Sequence, residues 1–303
     1  MALTLARDNL ITPLEPGRSL GTAAAAALAG TRQARYVHGA SQLDVAVSTS
    51  CGPHHDRNED SHSALGDSGR LFVVADGVGG GAMAQLASGL LVECLHEALE
   101  GRQPDAHAVT RAVLAADRAI AEAIARRTER PGAATVALCA ALDAAAGLWL
   151  IAWVGDCRAY RWSPGFGRIE CLTRDDTFRH LGEAPPPGGS LDDPARMVGN
   201  GAIAGVNCAV HRLAEHELLA LCSDGVHRHL ELADWRRLLG AGESSPAARA
   251  ESLVARAREL GSVDDATVLL VERVPPGQGV HADETAPDGG PRHFESPSRR
   301  SAP

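Results

Sequence analysis

Four short strand-like runs follow one another in the middle of the chain, and this succession restricts the fold more than any other feature of the sequence. They lie at residues 134–142, 148–154, 158–162 and 168–172. The turn residues Ala146–Gly147 and Pro164–Gly165 join two pairs of these runs as hairpins. Segments with apolar residues at helical spacing come in pairs on both sides, at 83–100, 106–127, 231–239 and 246–260. Consecutive hairpins between helix pairs predict an α+β fold of two mostly antiparallel sheets covered by helices, not a parallel βαβ sheet.

Further strands extend these sheets and mark the limits of the folded body. Apolar or alternating runs predict them at 43–50, 71–75, 217–222 and 266–273. We therefore expect a folded domain over residues 43–273. The weak patterning of residues 1–42 predicts a weakly structured N-terminal extension. The Pro, Gly, Ser and charge-rich composition of residues 274–303 predicts a disordered tail.

The composition excludes several classes of protein. No apolar run reaches the roughly 20 residues that a membrane span needs, so we expect no membrane partner. The net charge is −9, the chain has no lysine, and its arginines form no cluster, which argues against a nucleic-acid partner. The seven cysteines are scattered without a Cys-x-x-Cys pair, which is typical of reduced thiols in a cytoplasmic protein. We expect a monomer.

Acidic residues stand at the ends of the predicted strands. The five sites are Glu59–Asp60, Asp76–Gly77, Asp156, Asp224–Gly225 and Asp264–Asp265. Any single Asp-Gly pair is also ordinary turn chemistry. Strands that end on one edge of a sandwich would bring the acids together, and cations would then offset their mutual repulsion. Oxygen ligands without Cys or His select Mg²⁺ or Mn²⁺ over zinc or copper.

Five motifs carry a resemblance to a known family. In chain order they are Asn58-Glu59-Asp60-Ser61, Asp76-Gly77-Val78-Gly79-Gly80, Val154-Gly155-Asp156-Cys157-Arg158-Ala159-Tyr160, Cys222-Ser223-Asp224-Gly225 and Asp264-Asp265-Ala266-Thr267. The ordered set resembles the bacterial branch of the type 2C family of metal-dependent serine/threonine protein phosphatases. The resemblance spans residues 43–273 and implies a four-layer α-β-β-α sandwich.

The resemblance also implies a binuclear centre of two Mn²⁺ or Mg²⁺ ions at one edge of the sandwich. Asp76 would bridge the two ions, and the Gly77 carbonyl would assist one of them. Asp224 and Asp264 would hold the first ion. Each of these residues is carried over because it occupies the matching position of a family motif.

The resemblance also implies roles for three further acids. Glu59 and Asp60 would act mainly through bound waters, and Asp156 matches the position that joins Asp224 at a third ion. A hydroxide that bridges the two ions would then attack the phosphoryl group in line. The carboxylates that take part in this catalysis would be Asp60, Asp76, Asp224 and Asp264.

The loop before the first acidic motif departs from the family. The family grips the substrate phosphate with an arginine five residues before the Asp of Asn-Glu-Asp, and this chain has His55 there. Arg57 lies two residues further on and could supply the guanidinium. The two candidates differ in chemistry, because arginine is a permanently charged fork whereas imidazole binds phosphate well only when protonated. Both His55 and Arg57 remain candidates for the phosphate contact.

Two further positions also depart from the family. Gly81 stands where many bacterial members have histidine, so the proton for the leaving oxygen would come from bound water, His54 or His62. Arg228 stands where the family often has an acid that holds the third ion. A cation at that position disfavours a third metal. The sequence therefore predicts a two-metal centre and leaves the third site open.

The leading hypothesis is a phosphatase that hydrolyses phosphoserine and phosphothreonine in a protein substrate modified by a serine/threonine kinase. A second hypothesis is a catalytically silent type 2C-like domain that binds a phosphorylated partner or regulator. The altered phosphate loop and the missing histidine favour it, while the retained Asp76, Asp224 and Asp264 oppose it. A third is a metal-dependent phosphohydrolase that acts on small molecules.

Overall fold

The structure, a computed structural model, describes residues 24–25, 29–39, 41–66, 68–99, 101–102, 104–128, 131–201, 203, 205–241 and 244–275. The predicted C-terminal tail lies outside the described residues except for Val274 and Pro275. Much of the predicted N-terminal extension lies outside them as well.

Twelve strands in the described residues form two six-stranded sheets, and every neighbouring pair of strands is antiparallel. In order across the first sheet, the strands are β1 (Ala24–Ala25), β4 (Ser61–Ser63), β5 (Leu71–Val78), β6 (Ala133–Asp143), β7 (Leu148–Val154) and β10 (Asn207–Arg212). Across the second sheet they are β2 (Ala29–His38), β3 (Ser41–Ser50), β12 (Ala266–Val274), β11 (Leu218–Cys222), β8 (Arg158–Ser163) and β9 (Arg168–Cys171). The hairpins β6–β7 and β8–β9 are the ones that the turn residues predict.

The helices of the described chain are α1 (Ala82–Leu99), α2 (Ala106–Ala125), α3 (Phe178–Leu181), α4 (Asp224–His227), α5 (Leu232–Leu239) and α6 (Pro246–Glu259). Local signals start α2 and α6: the Asp105 carboxylate accepts the Ala108 N–H at 2.7 Å, and Ser245 caps α6 before Pro246. No helix within the described ranges has the length and apolar character needed to cross a membrane.

The molecule has four layers with three apolar cores between them. Along β5, Leu71, Val73 and Ala75 pack toward α1 and α2, whereas Phe72 and Val74 point between the two sheets. A third core lies between the second sheet and the helices α5 and α6. Because β5 is buried on both faces, its sequence is a continuous apolar run rather than an alternating one. The predicted α-β-β-α sandwich is confirmed.

The N-terminal limit of the body differs from the one that the sequence predicts. The sequence predicts a weakly structured extension here, but residues 29–38 form β2, which pairs with β3 along its whole length. The reason is that β2 is an edge strand with mostly exposed or half-buried side chains, so it lacks the apolar pattern of a buried strand. The boundary at residue 43 therefore falls inside a continuous two-stranded unit.

Candidate metal centre

Five aspartates from separate parts of the sequence converge on one edge of the sandwich. Asp76 lies near the end of β5, Asp156 follows β7, and Asp224 begins α4 directly after β11. Asp60 precedes β4 and Asp264 precedes β12. Burial raises the pKa of Asp76 well above its usual range, and the charges of Asp224, Asp60, Asp156 and Asp264 raise it further. The charges of the other four aspartates therefore all act on Asp76.

Asp60 is a buried carboxylate with one oxygen held and one oxygen left over. Its Oδ2 accepts the Ser223 hydroxyl at 2.7 Å, and Ser223 Oγ in turn accepts the Thr267 N–H at 3.0 Å. Asp60 Oδ1 is buried without a hydrogen-bond partner. Burial raises the pKa of Asp60 well above its usual range, although hydrogen bonds from Thr267 and Ser223 oppose the shift. An orphaned buried carboxylate oxygen is costly, and a cation or its bound water is the kind of partner that would satisfy it.

Asp76, Asp224 and Asp156 crowd one another. Burial raises the pKa of Asp224, while the Arg228 charge lowers it and the Asp264 charge raises it again. Burial also raises the pKa of Asp156 to about 7, with a further contribution from Asp224. Carboxylates this close to one another hold protons in the absence of a cation.

Glu59 is anchored to the glycine loop that follows β5. Its Oε1 accepts the Gly81 N–H, and its backbone carbonyl accepts the Gly77 N–H at 3.2 Å. Burial raises the pKa of Glu59, the hydrogen bond from Gly81 lowers it, and the charge of Asp265 raises it again. Gly81 stands where many members of the family have histidine, and here its backbone positions Glu59.

The two Asp-Gly pairs need glycine for close packing rather than for an unusual backbone angle. A Cβ on Gly77 would lie 2.5 Å from the Ala84 carbonyl oxygen, and one on Gly225 would lie 1.9 Å from the Asp265 carbonyl oxygen. Neither contact is possible for a larger residue. Glycine at these points lets the backbone beside Asp76 and Asp224 press against neighbouring segments, as expected from the sequence.

Asp265 organises the loop that carries the two phosphate-binding candidates. Its Oδ1 accepts the Gly52 N–H at 2.6 Å and lies 3.1 Å from His55 Nδ1, while its Oδ2 accepts the Glu59 N–H at 2.6 Å. Ligand atoms of His55, Asp264 and Asp265 lie within 4.8 Å of one another, which is a geometry that could hold a metal ion. Since backbone donors already occupy both oxygens of Asp265, we assign this residue to holding the loop.

His55 and Arg57 differ in their surroundings. His55 is tied to Asp265, and its side chain is 35% exposed. Arg57 is exposed, and among the described residues no hydrogen bond or ion pair holds its guanidinium. The structure does not bring Arg57 into contact with the acidic cluster.

Arg228 contacts two of the converging acids. Its Nη2 lies 2.7 Å from Asp156 Oδ2 and 3.0 Å from Asp224 Oδ2. The same nitrogen donates to the Asp192 carbonyl oxygen at 3.0 Å. His227, the neighbouring residue, is buried, and its Nε2 donates to the Asp156 carbonyl at 2.8 Å.

The histidines that could protonate a leaving group lie in different environments. His62 is 2% exposed in β4, and its Nδ1 donates to the Ser63 carbonyl at 2.9 Å. Burial lowers its pKa, so it is a neutral internal residue. His54 is exposed on the loop before Asp56. Of the two candidates from the sequence, His54 alone is exposed.

Two supporting residues were not singled out by sequence reasoning. Asp265 follows Asp264 directly, and its adjacency to a candidate ligand hides its separate role in holding residues 52–59. Ser223 orients Asp60 across a separation of 163 residues, which no local pattern reveals. The doubled acid in Asp264–Asp265 is the signal for the first, and the second lies in the Cys222-Ser223-Asp224-Gly225 motif, which does not show its partner.

The residues fit a pair of divalent cations. The side-chain donors at the edge are carboxylate oxygens, their mutual repulsion raises their pKa values, and Asp60 Oδ1 lacks a partner. Mg²⁺ and Mn²⁺ prefer this donor set. At the Asp156–Asp224 pair, by contrast, the Arg228 guanidinium already occupies the space between the oxygens.

The solved structures with similar folds include bacterial serine/threonine phosphatases. The serine/threonine phosphatase PstP/Ppp of Mycobacterium tuberculosis aligns with a TM-score of 0.65 and 24% identity, over 76% of this chain and 98% of that chain. The catalytic domain of PstP in complex with two manganese ions aligns with a TM-score of 0.65 and 25% identity, over 77% and 98% of the two chains. PppA of Pseudomonas aeruginosa aligns with a TM-score of 0.64 and 25% identity, over 76% and 97%.

Comparison at the level of sequence gives two results. A search of curated proteins finds no significant match. The sequence profile of the family described as Protein phosphatase 2C matches residues 49–256, about two thirds of the chain. The matched residues contain four of the five acidic motifs. The chain belongs to the protein phosphatase 2C family.

Proposed function

We propose that this protein is a metal-dependent phosphatase that removes phosphate from phosphoserine and phosphothreonine in protein substrates. The observation that carries the proposal is Asp76, a buried carboxylate whose pKa is raised by four other aspartates at the same edge. Such a cluster is unstable as a purely structural feature, because like charges out of water repel strongly. Perturbed carboxylates grouped in this way are typical of functional sites.

Two Mn²⁺ or Mg²⁺ ions are the proposed cofactors, in line with the two manganese ions bound by the PstP catalytic domain. Bound among these carboxylates, they would supply Lewis-acid activation of water and neutralise charge on the phosphoryl oxygens. Asp76 is proposed as the shared ligand, with Asp224, Asp264 and the Gly77 carbonyl beside it. Glu59 and Asp60 are proposed to act through bound waters. Hydrogen bonds from Gly81 and Ser223 hold these two side chains in place.

The substrate phosphate is proposed to bind Arg57. Its guanidinium is exposed and has no partner among the described residues, so it is available to a ligand. A planar fork of donors matches two phosphate oxygens at once. His55 is the alternative, but its Nδ1 is occupied by Asp265. The exposed His54 is a candidate donor of the proton that the leaving oxygen needs.

A catalytically silent domain that binds a phosphorylated partner is the second candidate. The observations that favour it are His55 in place of the family's arginine and Gly81 in place of the histidine. In this candidate the acidic edge would still bind cations and a phosphate, and no hydrolysis would follow.

The experiment compares two substrates and two metal conditions. The protein is stripped of metal with a chelator and then assayed on a phosphothreonine peptide and on a generic aryl phosphate, with and without Mn²⁺. We expect Mn²⁺-dependent hydrolysis of the peptide. Hydrolysis of the aryl phosphate alone would indicate a small-molecule phosphohydrolase, and Mn²⁺-dependent peptide binding without turnover would indicate the silent domain. Full activity after metal removal would contradict the mechanism.

Asp76→Asn tests the central ligand in the same assay. We expect a loss of at least about a hundredfold in kcat/KM, roughly 2.7 kcal/mol of transition-state stabilisation. The variant should stay folded by circular dichroism, because one charge fewer relieves repulsion. Glu251→Gln, which removes an exposed charge from α6, is the matched control and should keep full activity. Activity of Asp76→Asn within about threefold of wild type, roughly 0.6 kcal/mol, would remove Asp76 from the ligand set.

A further inference from the structure

Arg228 sits at the end of a one-turn helix whose first residue is an acid of the metal centre. Asp224 begins α4, and Arg228 follows it by four residues, so the two side chains lie on the same side of the turn. The Arg228 Nη2 lies 3.0 Å from Asp224 Oδ2 and 2.7 Å from Asp156 Oδ2. The guanidinium therefore bridges two carboxylates from different strand ends.

The bridge also reaches a third segment of the chain. Arg228 Nη2 donates to the Asp192 carbonyl oxygen at 3.0 Å. Residues 177–194 form a surface loop whose ends meet at a bridge between Thr177 and Pro194. Within the loop, the Asp192 side chain pairs with Arg179 through two hydrogen bonds of 2.7 and 3.0 Å. Arg228 thus connects this loop to the acidic edge through one backbone contact.

We propose that Arg228 is a built-in cation that takes the place of a third metal ion between Asp156 and Asp224, and so limits the metal centre proposed above to two ions. The guanidinium donates a hydrogen bond to Asp156 Oδ2, forms an ion pair with Asp224 Oδ2 and remains charged at any working pH. A divalent cation at the same place would lose those oxygens to the guanidinium and would be repelled by it at short range. The acids that could hold a further ion are therefore present but already paired.

The same contacts make Arg228 a positioning residue for the loop. A metal ion exchanges with solvent, whereas an arginine is part of the chain and holds the Asp192 carbonyl at a fixed place. The hydrogen bond from Arg228 to the Asp192 carbonyl therefore holds the loop of residues 177–194 against the acidic edge, and it does not depend on bound divalent cations.

The test counts bound metal rather than turnover. Wild type, Arg228→Ala and Arg228→Lys are dialysed against excess Mn²⁺, and the metal per chain is measured by mass spectrometry. We expect wild type to bind two ions and Arg228→Ala to bind one more than wild type. Arg228→Lys keeps the positive charge and should match wild type. A third ion in wild type, or no gain in Arg228→Ala, would overturn the proposal.

Two control variants separate the loss of charge from the loosening of the loop. Arg179→Ala removes the other arginine that contacts Asp192 but leaves Asp156 and Asp224 paired, so its metal count should equal that of wild type. Asp156→Asn combined with Arg228→Ala removes an acid together with the cation, and the extra ion should disappear. A gain of an ion in Arg179→Ala would mean that loop mobility, not charge, controls the site.

The count also distinguishes this proposal from the proposed function. If wild type fails to hydrolyse the phosphopeptide but Arg228→Ala still gains one ion, the enzymatic proposal fails and the role of Arg228 stands. If hydrolysis is Mn²⁺-dependent and no variant gains an ion, the role proposed for Arg228 fails and the enzymatic proposal stands. If Arg228→Ala unfolds without metal, the wild-type count still tests the proposal. Two bound ions support it, and three overturn it.

Discussion

At the scale of single residues, existing hydrogen bonds separate groups that support the site from groups that are available to a ligand. Asp265 has both oxygens occupied by backbone and histidine donors, whereas Asp60 keeps one oxygen without a partner. Adjacent acids such as Asp264 and Asp265 are therefore not equivalent. The same criterion applied to the phosphate loop favours Arg57, which is unpaired among the described residues, over His55.

The choice between these two residues can be tested by their kinetics. We expect Arg57→Ala to raise the KM for a phosphopeptide about tenfold or more, roughly 1.4 kcal/mol of lost phosphate binding. His55→Ala should do less, because its Nδ1 is already paired with Asp265. Arg236→Ala, an exposed arginine on α5, is the control. A larger effect of His55→Ala at pH 8 would make the histidine the phosphate ligand.

At the scale of elements, the sequence reveals buried strands better than edge strands. All five residues of β11 are buried, and its apolar run predicts it directly. The missed β2 and β10 lie at sheet edges, and β10 leaves Val210 57% exposed. Apolar patterning reports burial and not backbone pairing, so a strand with one partner and solvent-facing side chains leaves little trace in the sequence.

The candidate site shows a similar difference between residues that the sequence indicates and residues that it does not. Glycine-flanked acids at strand ends indicate the candidate ligands, since antiparallel strands that share an edge bring their ends together. The residues that orient those acids could not be predicted, because their hydrogen bonds connect distant parts of the chain. Gly52 donates to Asp265 over 213 residues, and the contact becomes apparent only after β3 and β12 have paired.

The missed strand β2 makes a contact whose contribution can be measured. The Tyr36 ring packs edge-on against Phe72, with 5.8 Å between ring centroids, and so joins β2 to the core between the sheets. Tyr36→Ala should lower the free energy of unfolding by about 1–2 kcal/mol in urea titrations. Val37→Ala, at the next residue of the strand, should cost less than about 0.5 kcal/mol, because Val37 is 67% exposed. Equal losses would mean that β2 does not pack against the core.

At the scale of the whole molecule, the acidic cluster opposes the stability of the fold that holds it. The acids near Asp76 are buried by the convergence of both sheets, and burial together with repulsion raises their pKa values. An acid with a raised pKa holds its proton more tightly in the folded than in the unfolded chain. In the metal-free protein these groups therefore lose stability as pH rises from about 4 through their raised pKa values, the reverse of the usual behaviour of carboxylates.

This dependence predicts how far Mn²⁺ stabilises the protein at different pH values. At pH 5.5 the cluster retains protons that must leave before a cation can bind, because burial and mutual repulsion raise the pKa values of Asp76 and Asp60 well above the usual range. At pH 7.5 fewer of those protons remain, and the repulsion that Mn²⁺ relieves is greater. We expect the rise in Tm on adding Mn²⁺ to be larger at pH 7.5 by roughly 3–6 °C, which corresponds to about a tenfold tighter apparent Kd.

Histidines do not account for such a difference. Burial lowers the pKa of His227 to about 3, so acid favours the unfolded chain below the usual imidazole pKa of about 6.5. That loss occurs with and without Mn²⁺ and cancels when the two melting curves at one pH are subtracted. Asp76→Asn, which has one acid fewer, should show a smaller dependence on pH. An equal rise in Tm at both pH values would mean that the cation binds without displacing protons, and that the converging aspartates are not its ligands.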